Sequence, residues 1–567
     1  MAELRGEGVE LAAGFYFYLK HELNATITWR NTGGEQLRSV PGGGHLPAPR
    51  SPIVRHRNGP LFYGGFEPGG ADCYTAAFWD WERWEREIDW MCVQGINLPV
   101  APVGQEAIFR KVYLELGLTE REIEAFFPGP AYLGWNRLGN IKGWAGPLTD
   151  TWHRQASQLQ AKILARMRAL GMAAVLPAFH GHVPDAMQAH FPTATFTRLS
   201  PWGWPADSPF TEVLQLDPTD ALFAQIGSRF ITIMREEWPA ATASRFYHPI
   251  VYEEEVPSSN STVYLAEVGA AVFGAIAAVD PDAVWMVQGW TLHEEKASFW
   301  QPPQTKAFLT SGRTVVLDFF AEGDPGWIKT GGFYGVNWIW CMFQDGGQNY
   351  GLYGMTDSIL ANPLVAAAAN STMVGVGMVP EGYEANPAIF EMFSEVAFAP
   401  EQLEPVQWFE DWARRRYDRP PPAAVEAWRL LYTSGVYNCN NSHENHNTDF
   451  TISRPRLCNT IGDQAGWSDG HIDGSWPNWN DSHTYPDNSS HWITYDWAGG
   501  PFHLNEYHPW YDTAEFLRAW RLLLNASDDL SDQQPYVWDV VDVTREVLSK
   551  FVSHTRVLSS GLDITFD

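Results

Sequence analysis

Between residues 72 and 400 the chain alternates short apolar runs with stretches of helical periodicity. The runs are "GINLPVAP" (95–102), "GMAAVLPAF" (171–179), "HPIVYEEE" (248–255), "AVWMVQGW" (283–290), "TVVLDFF" (314–320), "GVNWIWCM" (335–342) and "STMVGVGMVPE" (371–381). Between them lie amphipathic stretches such as "WHRQASQLQAKILARMRAL" and "TVYLAEVGAAVFGAIAAV". Strands that are apolar on both faces, each followed by a helix, predict a parallel sheet closed as a (β/α)₈ barrel of the TIM type. Seven strands are legible in this pattern, and the eighth is not.

The flanks have a different texture. Residues 1–55 predict a small α/β domain: a helix over about 8–22, a strand at "ATITW" (25–29) and a Gly/Pro-rich connector. Residues 401–567 predict an α-helical domain, from "PVQWFEDWARRRY", "AAVEAWRLLYTSGVY", "AEFLRAWRLLLNA" and "YVWDVVDVTREVLSKFVSH". An Asn/His/Asp/Trp-rich insertion interrupts it at 438–510. That insertion is either a surface excursion or a loop that brings aromatic groups to the barrel. Both ends of the chain are abrupt, which predicts further segments beyond each.

In a barrel of this kind functional residues gather at the carboxyl ends of the strands. Gln105 and Glu106 follow the first run, His180 and His182 the second, Glu253 to Glu255 end the third, and Trp290 ends the fourth. Asp318 and Glu322 lie at and after the fifth, Gln344 and Asp345 after the sixth, and Glu381 ends the seventh. In "HPIVYEEEVPSS" strand alternation would put Glu254 on the face of Tyr252, with Glu253 and Glu255 on the other. Two glutamates on different strands of one rim, Glu254 and Glu381, point to glycoside hydrolysis, one as proton donor and the other as nucleophile. Ordinary solvated rim acids are the alternative for both. His180 and His182 with Glu254 could instead hold a metal, but no third ligand recurs at suitable spacing.

A net charge of −29, from 67 acids against 38 bases, speaks against a surface that wraps nucleic acid. The chain carries 28 Trp, 21 Tyr and 31 Phe, rings that either stack on sugar faces or fill a large core. Of five cysteines, Cys73, Cys92 and Cys341 have buried surroundings, whereas Cys439 and Cys458 fall in a polar region and are the candidates for a disulfide. Asn24, Asn260, Asn370, Asn440, Asn480, Asn488 and Asn525 each begin an N-x-S/T triplet, which fits a secretory or lysosomal/vacuolar route. The longest apolar run, Gly269 to Val279, is too short to span a bilayer.

The segments "FWDWERWEREIDWMCVQGINL", "GQEAIFRKVYLELGLTEREIEAFFPGPAYLGWNRLGNI", "LPAFHGHVPDAM", "AVDPDAVWMVQGW", "VVLDFFAE", "WIWCM" and "NSTMVGVGMVPEG" occur in the order seen in a known family, and "WARRRY" and "AWRLL" continue it. On these the chain resembles the α-N-acetylglucosaminidases of glycoside hydrolase family 89, whose animal members are lysosomal enzymes of heparan sulfate breakdown. The resemblance implies the same three-part architecture and a retaining exo-hydrolase that releases terminal α-linked N-acetylglucosamine without metal or organic cofactor. It implies Glu381 as nucleophile and Glu254 as acid/base, with Glu253 in place of the family's asparagine. It further implies pocket contacts at Asn97, Gln105, Glu106, His182, Trp202, Trp290 and Trp340. Three departures stand out: Pro102 replaces a tryptophan, and Gln344 and Asp345 replace a histidine and an asparagine. A homologue that binds N-acetylglucosamine but has lost catalysis through Glu253 is the alternative.

Overall fold

The structure, a computed structural model, describes residues 8–42, 46–49, 59–64, 72–201, 208–253, 255–293, 298–310, 312–346, 351–399, 401–439 and 510–560. Eight strands run parallel: β1 (Leu61–Gly64), β2 (Leu98–Pro99), β3 (Val175–Pro177), β4 (Phe246–His248), β5 (Val284–Gln288), β6 (Thr314–Asp318), β7 (Asn337–Gln344) and β8 (Met373–Pro380). Their order around the sheet is β2-β1-β8-β7-β6-β5-β4-β3. A parallel bridge from Val100 to Val175 joins its two ends, with Ala101 N–H donating to Val175 O at 3.0 Å, so the sheet closes on itself.

The strand hidden in the sequence is β1. It lies ahead of residue 72, where the apolar–helical alternation starts, because its four residues are set among Gly and Pro and carry no alternation of their own. A second difference concerns the glutamate triplet. The ladder of β4 stops at His248 because Pro249 has no N–H to donate, so Ile250 to Tyr252 lie beyond the strand. Glu253 and Glu255 therefore do not share a face: one meets Gln288 and the other Ser200.

Side chains fill the barrel interior. Phe62 points outward to Phe393, so Tyr63 points in, toward Gly377 and Cys341. A Cβ at Gly377 would lie 2.9 Å from Cys341 Sγ and 3.2 Å from Tyr63 Cβ. Gly377→Val should therefore cost about 1–3 kcal/mol through overpacking, read as a lowered midpoint in thermal or urea unfolding. An unchanged midpoint would mean the interior is looser than drawn.

The outer layer includes α1 (Val9–Leu23), which precedes the barrel and packs on α2 (Trp81–Gln94). Behind the later strands come α3 (Gln105–Glu115), α4 (Asp150–Ala169), α5 (Ala221–Glu237), α6 (Thr262–Ala277), α7 (Pro302–Leu309), α8 (Thr356–Ala369) and α9 (Pro387–Val396). Asp80 and Thr149 cap α2 and α4, accepting from Arg83 N and Trp152 N. A small antiparallel sheet, His182–Val183, Phe196–Arg198 and Leu214–Leu216, sits in the connection after β3. Among the described residues no helix is long and apolar enough to cross a membrane.

The carboxyl-terminal helices are α10 (Pro405–Arg416), α11 (Pro422–Thr433), α12 (Thr513–Asn525) and α13 (Gln534–Ser560). Almost all of the 438–510 insertion lies outside the described residues, and Cys458 with it; Cys439 is buried at the edge that is described. The helices are tied to the amino-terminal segment through buried charge. Arg416, with no exposed surface, donates from Nε and Nη2 to Asp539 at 3.0 Å each and from Nη1 to Thr28 Oγ1 at 2.8 Å. It also donates to Thr32 O, and Tyr417 OH completes Asp539 at 2.7 Å. Nearby, burial raises the Glu395 carboxyl, but Arg415 and Lys20 outweigh that and hold it at about 2.

Candidate active site

The rim is built around Glu381. The register pairs Gln344 of β7 with Pro380 of β8, so Glu381 emerges directly beside the end of β7, and its N–H donates to Gln344 O at 3.3 Å. The turn that follows is pinned residue by residue. Tyr383 N–H donates to Thr75 Oγ1, and its ring sits edge-on to Trp29 and Trp79. Glu384 accepts from Arg83 at 3.0 Å and Asn31 at 2.6 Å. Asn386 donates Nδ2 to Asp345 Oδ1 and to Gly351 O, both at 2.9 Å. Glu384 and Asn386 hold left-handed backbone, at φ 68° and 41°, which persists in non-glycine residues only where neighbours over-determine it. The result is a half-buried carboxylate on a rigid turn at the mouth of the barrel.

Across the mouth, Glu253 is buried beyond β4 and its Oε1 accepts from Gln288 Nε2 at 3.0 Å, at the end of β5. Glu254 and Trp202 lie outside the described residues. Trp290, just past β5 and half-buried, stacks on Phe343 of β7 at 6.1 Å and 24°, and Phe320 meets Phe343 edge-on. In strand order these rings, at the ends of β5, β6 and β7, fall between Glu253 after β4 and Glu381 after β8. The end of β7 is buttressed by Glu322, whose Oε1 accepts from Phe343 N at 2.6 Å. Asp318 accepts the N–H groups of Gly326 and Trp327, and burial pushes its carboxyl up to about 8.

Gln105 lines a cavity of about 20 Å³ with Pro102, Arg137, His180 and His248, room for one water. Glu106 makes a two-bond contact with Arg137, 2.8 Å to Nε and 3.3 Å to Nη2. Burial pushes that carboxyl up and the guanidinium down, and the fork between them opposes both shifts. Glu106 thus serves as a structural ion pair rather than a sugar contact. His182 is buried against Gly139, where a Cβ would come within 2.4 Å of its Nε2. Its backbone N–H donates to His180 Nδ1 at 3.2 Å, and burial holds both rings neutral, His182 at about 3. With that lone pair engaged, His180 Nδ1 is not available to a metal. Among the described residues no three His, Cys, Asp or Glu side chains gather to hold one.

Two expected contacts fall elsewhere. Trp340 alternates with Cys341 and so points out of the barrel, fully buried and stacked on Phe393 of α9 at 5.7 Å and 26°. It is core. Asn97 sits at the opposite, amino-terminal end of the sheet, where it accepts from Phe62 N at 2.8 Å and donates to Pro60 O at 3.1 Å. It secures β1 and is remote from Glu381. Conversely, Gln288, Asn386, Tyr353 and Arg137 were not singled out by the sequence. Gln288 had a signal, a polar residue within an otherwise apolar run. Asn386 had none.

Comparison with known proteins gives a consistent picture. The family model described as the alpha-N-acetylglucosaminidase (NAGLU) tim-barrel domain matches residues 71–400, and that of the alpha-N-acetylglucosaminidase (NAGLU) C-terminal domain matches 408–558. The chain is 36% identical over 552 residues to Homo sapiens alpha-N-acetylglucosaminidase, covering 96% of this chain and 66% of that protein. It superposes with a TM-score of 0.80, at 22% identity, on a Clostridium perfringens family 89 enzyme solved with GlcNAc-alpha-1,4-galactose, covering 98% of this chain and 56% of that one. The same bacterial enzyme with 2-acetamido-1,2-dideoxynojirmycin gives 0.79 at 23% identity, covering 96% and 55%. The chain thus spans less than two thirds of the length of each of these proteins.

Proposed function

The chain belongs to the alpha-N-acetylglucosaminidase family, and on that basis we propose that it is a retaining exo-glycosidase releasing terminal α-linked N-acetylglucosamine from glycans or glycosaminoglycans. The observation that carries this reading is Glu381 on its pinned turn at the carboxyl end of β8, beside the end of β7, where Phe343 stacks on Trp290. In a double displacement Glu381 attacks the anomeric carbon while Glu254 gives its proton to the departing oxygen. Water, deprotonated by Glu254, then breaks the glycosyl–Glu381 bond and leaves the configuration retained. The two carboxyl groups would stand about 5–5.5 Å apart for this chemistry. The exposed sequons at Asn24, Asn260 and Asn525 fit a secretory or lysosomal setting.

Glu253 favours a second reading, since it stands where the resembled pattern has an asparagine that donates to the sugar. A carboxylate cannot donate there, and its charge beside Glu254 favours the protonated form of that acid. Hydrolysis of an aryl α-N-acetylglucosaminide across a range of pH tests both readings. Turnover with retained configuration supports the glycosidase. Glu253→Asn should then move the alkaline limb of the profile downward by about one pH unit, because the general acid loses the neighbour that keeps its proton on. Binding of an N-acetylglucosamine iminosugar with no turnover at any pH would instead identify a binding homologue.

A further inference from the structure

We propose that Asp345 is a positioning residue for Glu381, clamping the turn that carries the nucleophile through Asn386. The inference rests on the reading of Glu381 given above. Asp345 follows β7 in left-handed backbone, φ 58°, and is fully buried. Its Oδ1 accepts from Asn386 Nδ2 at 2.9 Å and from Gln344 Nε2 at 3.2 Å, and its N–H donates to Tyr353 OH at 2.6 Å. Gln344 Nε2 also reaches Tyr353 O, and Tyr353 N–H reaches Asn386 Oδ1 at 3.4 Å. Gln344 O in turn accepts the N–H of Glu381. The loop after β7 and the turn after β8 are thereby one hydrogen-bonded unit, with Glu381 at one end and Asn386 at the other.

The acceptor role asks only for one carbonyl-like oxygen, which an asparagine or an un-ionised carboxyl supplies equally well. The groups facing Asp345 are Tyr353 from its own loop, Asp542 and Arg545 from α13, and Tyr437 from beyond α11. Glu322 also faces Tyr353. Arg545 is engaged by Asp542 at 2.7 Å. Burial pushes the Asp345 carboxyl up to about 8. A carboxyl raised in the folded state opposes folding increasingly as pH climbs from its unfolded value toward that figure, and has no effect below the unfolded value.

The test compares Asp345→Ala and Asp345→Asn with the parent chain. The alanine variant should lower kcat on the order of 10–100-fold with little change in KM, since the turn shifts while the Trp290 and Phe343 rings remain. The asparagine variant should restore kcat. It should also gain melting temperature over the parent as pH rises from 4.5 to 7.5. If Asp345→Ala does not fold, Asn386→Ser removes the same contact and should show the same kcat-selective loss. An active parent whose kcat is indifferent to both changes overturns the clamp alone, as does an asparagine variant that fails to rescue. An inactive parent that still binds an N-acetylglucosamine iminosugar overturns the reading of Glu381, and the clamp with it.

Discussion

Glu381→Ala should lower hydrolysis of an aryl α-N-acetylglucosaminide by at least about 10³-fold while leaving the fold intact. The carboxyl is half-buried, and the turn beneath it is held by its neighbours: the backbone of Gln344, Thr75, Arg83, Asn31 and Asp345. Removing the side chain therefore takes away the proposed nucleophile and leaves in place the scaffold that aims it. Azide small enough to enter the vacated space should restore cleavage of an activated substrate and yield the glycosyl azide of inverted configuration. A variant that keeps more than a few per cent of parental turnover would remove Glu381 from the reaction, and loss of the folded state would show that the carboxyl is part of the scaffold.

The second large effect is one of stability. Arg416 serves the carboxyl-terminal helices and the amino-terminal segment at once, through Asp539, Thr28 and Thr32. Arg416→Ala leaves Asp539 buried with its main partner gone, and losing one half of a buried pair costs about 3–5 kcal/mol. Lysine keeps the charge but not the fork, so Arg416→Lys should fall between the alanine variant and the parent. Replacing both residues by apolar ones, Arg416→Met with Asp539→Leu, should recover much of the loss, because no stranded charge remains. Urea unfolding reads all three. An alanine variant within about 1 kcal/mol of the parent would place this contact with exposed ion pairs.

Legibility in the sequence followed burial. Strands β2, β3 and β5 to β8 announced themselves because both of their faces are covered, which forces continuous apolar runs whatever the rest of the chain does; for β4 the apolar run at 248–255 begins at His248, where the strand itself ends. β1 is covered in the same way, but four residues between glycines and prolines are too few to show a pattern. Strand ends located the rim, and with it Glu253, Glu381, Trp290 and Gln105. What the pattern could not supply was direction. Trp340 and Phe343 belong to the same strand, and only the pleat decides that one packs on a helix while the other meets Trp290. Asn97 precedes its strand and so belongs to the far end of the barrel, a distinction of a residue or two that sequence boundaries do not resolve. Glu106 and Asn386 act through partners 31 and 41 residues away, Arg137 and Asp345, and no local signal marks such pairs.

The pairing of β1 with β8 has a bearing on how the chain is made. About 300 residues separate the two strands, so during synthesis at about 5–20 residues per second β1 waits for on the order of a minute or less before its second neighbour exists. Until then one flank of β1 offers bare N–H and C=O groups to any strand nearby, including that of another nascent chain. Its brevity limits that hazard: four residues present little edge to copy, and the long, apolar β8 arrives last, when seven strands are ready to enclose it.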